Sequence, residues 1–505
     1  MSSELANKSV TAAKWGVIST AAKFVLQLAV NVAVARLLGP DSYGLFALGT
    51  LVLMLATFFS DFGLGWGLMQ RQHITDEQVR FVFTWQTLSG LFGALVLITA
   101  APLIAGFMRD PRLVDVVRWL ALTCLLNGMA STANNLLRRE LRFKDIAVVQ
   151  IQSYLVAYGL FGLPMAALGC GVWSLVTAWI MQSLAQLLLS LRARPHALKP
   201  LPTIEQPREF INTGAVVFLT NVCNWMLLNI DRLLLGRIVS THAAGLYAVG
   251  YNLASVPNSL LISALQPAFL ASGAKLQDDR QRLRRAYLEI QSFVWIVIAP
   301  LFALLALSGR DIIALLYGPA WVESGPVFGL LVLAMPLYLA WAMSTPVLWN
   351  TGRRRQEVML QLPVLLLAVP ALAWAAGAGV AFVAAVAAAV FALRFVAMAV
   401  PVCRALAVSC RDVLALIGRS VVVNCGVAGL ALLAGQVGEA VTRHDALLMT
   451  FRTVVGGLVL AMLLLAVPRL MGQHAASLLL RFVPQRLRES GPLSGLLARQ
   501  LARRP

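Results

Sequence analysis

Residues 36–49 read RLLGPDSYGLFALG, and residues 237–250 read RIVSTHAAGLYAVG. The two stretches align without a gap. Arg36 meets Arg237, Gly44 meets Gly245, Leu45 meets Leu246, Ala47 meets Ala248 and Gly49 meets Gly250. The chain writes the same corner twice. A second correspondence follows further along each half, where RRELRFK at Arg138–Lys144 matches the place of GRRRQE at Gly352–Glu357.

The surroundings of these corners are apolar. Hydrophobic residues make up 59% of the chain and charged residues only 12%, about half the charged share of a soluble protein. Apolar runs of roughly 20 residues recur from end to end, the length needed to cross a bilayer core. They do not alternate with period two, so a membrane barrel is excluded. Candidate spans fall near 12–35, 43–68, 81–105, 114–136, 146–168, 171–191, 210–235, 243–270, 288–308, 325–349, 357–376, 379–402, 413–435 and 450–468, about 14 in all.

The formal charge of +19 is explained by topology. Alternating the connections puts roughly 30 Lys and Arg on one face and about 9 on the other, which places the richer face and both termini in the cytoplasm. Nucleic acid is not the expected partner. Lys23 and Arg394 lie inside spans.

Each repeated corner sits in the first hairpin of a six-span block. An even count per block gives both copies the same orientation, so the expected fold is an all-α polytopic membrane protein with two six-helix lobes related by a pseudo-two-fold along the membrane normal. The lobes are residues 1–200 and 201–410. Two additional transmembrane helices follow at 411–470, and a basic amphipathic cytoplasmic tail at 471–505. The Pro-rich connection RARPHALKPLPTIEQPR falls at the lobe boundary.

No connection is long enough to hold a soluble catalytic domain. GxxxxGK[ST], HExxH and paired Cys/His spacings are all missing. The chain is therefore not expected to be an enzyme, and no metal or cofactor is expected. The six cysteines are scattered mainly through apolar segments and read as packing groups. The GLGWG run at Gly63–Gly67 ends an apolar helix, so it reads as close helix packing and not as a dinucleotide loop. The first apolar run is too long for a cleavable signal peptide and carries Lys14 and Lys23.

Several spans carry polar stripes. In the first, Ser19, Lys23, Gln27 and Asn31 repeat every fourth residue and share one face. An ammonium at mid-bilayer costs at least about 3 kcal/mol on insertion scales, so Lys23 must face a partner or water. The fourth span repeats the pattern with Thr123, Asn127, Ser131 and Asn134, leading to Arg138. Asn221, Asn224, Asp231 and Arg232 mark the seventh, Tyr251, Asn252, Ser255 and Asn258 the eighth, and Trp341, Ser344 and Asn350 the tenth. Together they point to a hydrated central cavity; singly, each also suits an interhelical hydrogen bond of about 0.6 kcal/mol. Lys23, Gln27, Asn31, Asn127, Asn134, Arg138, Asn224 and Asn252 are the substrate-binding candidates. Asp61 is either the counter-ion of Lys23 or a proton carrier. Asp231 with Arg232, and the repeated Arg36 and Arg237, are the coupling or gating candidates. Arg394 is expected to snorkel.

ARLLGPDSYGLFALG followed by FFSDFGLGWGLMQR resembles the N-terminal signature of the Wzx-type polysaccharide transporters, a branch of the multidrug/oligosaccharidyl-lipid/polysaccharide (MOP) superfamily. The resemblance is closest over residues 35–75 and includes RRELRFKD. It implies V-shaped lobes that turn an undecaprenyl-pyrophosphate-linked repeat unit from the cytoplasmic to the periplasmic leaflet of a bacterial inner membrane. It also implies a cationic cavity, onto which Lys23, Arg36, Arg138 and Arg139 map. Proton or sodium coupling stays open, with Asp61 as the candidate. A lipid II-type flippase and an exporter of cationic drugs share the superfamily; the second would need acids where this chain has Lys23. The basic amphipathic segments 274–290 and 481–505 suit anionic lipid headgroups or a polysaccharide polymerase or other assembly partner.

Overall fold

A computed structural model describes residues 2–61, 68, 74–203, 214–274, 279–441 and 454–462. Among these residues every regular element is a helix. The first, α1 (Ser2–Asp61), holds two rods: the backbone leaves helical geometry at Gly39, with φ 73° and ψ 173°. Only glycine adopts that conformation cheaply. Pro40 then starts the second rod, where its fixed φ suits a first helical position and its missing N–H costs nothing. The break turns one stretch too long for a bilayer into two spans.

Next come α2 (Asp76–Met108), α3 (Leu113–Arg139), α4 (Phe143–Ala167) and α5 (Val172–Ala193). Thr75 starts α2 with a capping box: its hydroxyl accepts from the Gln78 N–H while Gln78 reaches back. Asp76 and Glu77 favour the positive end of the helix dipole. A π turn at Tyr158–Gly162 interrupts α4.

The second half contains α6 (Gly214–Ile238), α7 (Thr241–Ala274), α8 (Arg280–Leu307), α9 (Gly309–Tyr317), α10 (Ser324–Asn350), α11 (Arg354–Ala376), α12 (Val380–Leu406) and α13 (Cys410–Val441). Residues 454–462 are helical too. A π turn at Val294–Ile298 lies within α8. The short helix α9 lies between the expected spans 288–308 and 325–349. Internal prolines occur in α7, α10 and α11; the Ala342 carbonyl that Pro346 frees in α10 accepts from Gln266 Nε2 at 3.0 Å. Ten stretches among the described residues are long and apolar enough to cross a membrane.

The chain divides into two compact units, one comprising 1–248 with 372–380, the other 249–371 with the residues from 381 on. In the first unit, the helices around Gly90 and Gly128 approach closely: a Cβ on either would lie within 2.6 Å of a carbonyl oxygen on the partner helix. Small residues allow this approach, which is how helices associate where hydrophobicity supplies no drive. A polar knot reinforces the pair. Gln86 donates to Ser131 Oγ at 3.0 Å and accepts from Thr132 Oγ1 at 2.7 Å. In the second unit, Val423, Val427 and Ala431 of α13 pack on Leu304 of α8 with Leu460.

Candidate functional site

The polar face of α1 supplies the first-unit site. Lys23 is half-buried, and its Nζ donates to Gln150 Oε1 of α4 at 3.1 Å. A neutral amide is the acceptor, so this contact leaves the ammonium charge uncancelled. Gln150 begins an i, i+4, i+8 series with Tyr154 and Tyr158, whose rings lie 4.4 Å apart. Sequence reasoning missed these three residues. The signal was the same fourfold spacing used to read the first span, diluted by the apolar residues around it.

Asn31 turns back on its own helix: its amide donates to the Gln27 carbonyl at 2.8 Å and accepts from Tyr43 Oη at 3.0 Å. Because Tyr43 lies beyond Gly39, this contact pins the two rods of α1 across their break. Gln27 itself is half-buried.

The remaining candidates separate into groups. Asn127 is half-buried on α3, whereas Asn134 accepts from Ser190 Oγ of α5 at 3.1 Å. Thr123 folds back onto the Leu120 carbonyl. Arg138 is exposed at the end of α3, and Arg139 donates to the Leu68 carbonyl at 2.8 Å. Glu140 binds Arg194 at 2.6 Å, tying the RRELRFK corner to the connection after α5. Asn224 is half-buried and Asn252 exposed. Asp61 ends α1, and its side chain lies outside the described residues, as do those of Ser19 and Asn221. Of the two amphipathic segments, 481–505 also lies outside them.

Asp231 is buried and accepts from Tyr247 Oη and from the Arg232 backbone N–H. The Arg232 guanidinium reaches back to the Leu228 carbonyl at 3.3 Å. The two repeated arginines differ in use. Arg36 is exposed. Arg237 donates to the Gly106 and Phe107 carbonyls at the end of α2 and covers the Phe107 ring, its guanidinium carbon 5.0 Å from the centroid.

Around Arg237 lies a polar cleft of about 270 Å³ lined by Asp41, Arg109, Asp110, Arg112, Thr241 and His242. Arg112 binds Asp41 at 2.6 Å and Asp110 at 2.8 Å, while Asp110 accepts from Thr241 Oγ1 at 2.7 Å. The chain of contacts spans both repeated corners. The Arg112 guanidinium holds the Asp110 carboxyl below the usual carboxylate range.

Arg394 corrects the sequence reading. It does not snorkel: it is 1% exposed, donates to Gln361 Oε1 at 3.0 Å and stacks over the Trp341 ring at 3.8 Å. An inward-facing side of α12, where its neighbours are Gln361 and the Trp341 ring, won over the route to the headgroups.

The geometry is that of a polytopic membrane transporter whose polar groups lie inside its helical units. The fold matches that of a lipid II flippase MurJ in an inward closed conformation, with a TM-score of 0.71 over 90% of this chain and 98% of that one, at 12% identity. A polysaccharide biosynthesis protein family model matches residues 33–326, and the chain belongs to that family. The chain is 25% identical over 340 residues to the lipopolysaccharide biosynthesis protein WzxC of Escherichia coli K12, covering 65% of this chain and 67% of the relative. It is likewise 25% identical over 341 residues to the succinoglycan biosynthesis transport protein ExoT of Rhizobium meliloti, covering 67% and 68%.

Proposed function

We propose that this chain flips an undecaprenyl-pyrophosphate-linked oligosaccharide repeat unit from the cytoplasmic to the periplasmic leaflet of a bacterial inner membrane, for assembly of an exopolysaccharide, capsule or lipopolysaccharide. The observation that carries this is Lys23, an ammonium inside a membrane helix whose acceptor among the described residues is the neutral Gln150. An anionic head cannot enter hydrocarbon bare, because an ionised group without a partner costs several kcal/mol. Lys23 offers charge, and the Gln150 amide beside it suits a sugar hydroxyl. The polyprenyl tail needs no such help and stays in lipid.

The internal repeat supports alternating access, with lobes of residues 1–200 and 201–410 and both termini cytoplasmic. Family membership and the relatives named above support the polysaccharide cargo. A lipid II-type cargo shares the pyrophosphate and differs in the glycan. The exposed side of Arg280–Phe293, where Arg282 and Arg285 lie, suits anionic lipid headgroups. A polymerase or another assembly protein is the expected protein partner.

The test is reconstitution into liposomes with a fluorescent undecaprenyl-pyrophosphate-linked oligosaccharide, following its arrival in the opposite leaflet. Wild type should move it and Lys23→Ala should not. Movement of a cationic dye by wild type, with the glycolipid left in place, would establish a drug exporter instead.

A further inference from the structure

The second unit buries a carboxylate and a guanidinium that the cargo path above does not use. Glu357 is 2% exposed and Gln361 is 1% exposed, one turn apart on α11. Gln361 bridges them, donating to Glu357 Oε1 at 3.3 Å and accepting from Arg394 at 3.0 Å. Trp349 Nε1 donates to Glu357 Oε2 at 2.7 Å, and Thr345 Oγ1 to Oε1 at 3.4 Å. The result is a continuous polar line from the 351–353 turn into the interior of the unit.

Two features argue that this line is more than a structural pin. Burying opposite charges contributes little net stability, and well-packed apolar residues of similar volume often do as well or better. Ionisable groups within membrane helices are expensive, and function is the default reading of their presence. The surroundings are also polar beyond the needs of packing. Trp341, the ring beneath Arg394, buries its Nε1 without a hydrogen bond among the described residues, and so does Gln291 with its Oε1. Gln291 meets α10 at the Ala340 carbonyl, one residue from Trp341.

We propose that Glu357 is the proton-binding residue of the transport cycle, with Arg394 as its fixed counter-charge. The proposal rests on the transporter reading and moves coupling away from Asp61. The step is a simple protonation: the carboxylate takes a proton from water at one face and returns it to water at the other. The guanidinium stays charged throughout, so the site alternates between net zero and net positive.

Among the described residues, the other groups facing this line leave Glu357 as its acid. They are Arg394 from α12, Tyr251 from α7 and Tyr338 from α10 around the guanidinium, with Tyr287 of α8 and Cys403 of α12 beyond Ser344. A sodium ion is disfavoured, because Arg394 already supplies the cation that Glu357 faces.

Infrared difference spectroscopy of the full purified chain, recorded as the pH is lowered, reads the proton directly. Wild type should gain a carboxylic-acid C=O band that Glu357→Gln removes. Glu357→Asp, which keeps the acid on a shorter arm, should move the band, and it serves if the glutamine variant does not fold. In liposomes, a pH gradient should change wild-type flipping of the fluorescent glycolipid by about fivefold, and that ratio should fall to near one in Glu357→Gln. A spectrum with no band assignable to Glu357 overturns the proposal, as does a response to sodium with none to pH. The infrared readout needs no cargo, so its failure leaves the flipping reading intact. A wild type that shows the band but moves no glycolipid sinks the flipping reading alone.

Discussion

Gly44 and Gly245 face each other across a near-two-fold contact inside the first unit. A Cβ built on Gly44 would lie 2.0 Å from the Thr241 carbonyl oxygen, and one built on Gly245 would lie 2.1 Å from the Pro40 carbonyl oxygen. Pro40 and Thr241 are equivalent in the repeat, as are the two glycines. The repeated corners were therefore written alike because they pack on one another, backbone against backbone. Such an approach permits Cα–H···O contacts that larger residues forbid.

Alanine at either glycine should cost about 1–3 kcal/mol, because backbone cannot yield as a flexible side chain can. Gly418→Ala is the control, since its added Cβ meets nothing within 4 Å. Thermal melting in detergent checks this; equal melting of all three variants would refute the close contact.

Lys23→Ala should lower flipping by at least about tenfold with the melting temperature retained, whereas Lys23→Arg should keep most of it. Gln150→Ala should cost less, because it removes only the amide that orients the ammonium. Equal rates for wild type and Lys23→Ala would remove the residue from the path.

Asp110 ties the corners through Arg112 and Thr241. Its folded carboxyl titrates below its unfolded value, held there by Arg112. Its stabilising contribution is thus complete above about pH 4 and is lost as pH falls through the folded value. Melting curves between about pH 6 and about pH 3 should show a loss of stability that is smaller in Asp110→Asn. An identical pH profile in the variant would show that the clasp contributes nothing.

The connection after α5 lies against the start of α2. Arg80 donates to the Lys199 and Pro200 carbonyls, Trp85 to the Pro202 carbonyl, and the Leu201 N–H to Thr84 Oγ1 at 2.8 Å. His196 packs edge-on against Phe83, and its Nε2 is buried without a hydrogen bond among the described residues. Burial pushes its imidazole below the ordinary value. The docked strap is therefore favoured above the ordinary histidine range and weakened as pH falls through the lowered value. Maleimide labelling of Leu201→Cys should quicken toward about pH 5 relative to a free thiol at each pH, and adding His196→Phe should abolish that change. No relative quickening would dismiss the titration.

Hydrophobic run length and the placement of charge made the membrane fold legible from sequence, because insertion is a one-dimensional problem. Each span must be long and apolar, and each connection must carry its charge on the right side. The repeat was legible for the same reason, and so was the expense of Lys23 in its helix. Partners were not. Asn31, Asn134 and Gln150 are alike as polar residues in apolar helices, yet one pins a kink, one joins two helices and one holds Lys23. Which of these a residue does depends on rotation and tilt of neighbouring helices, and those are set by packing across the fold. Arg394 shows this most plainly: its position on α12 suited the headgroups, and only the tertiary arrangement brought Gln361 and Trp341 to the side it faces.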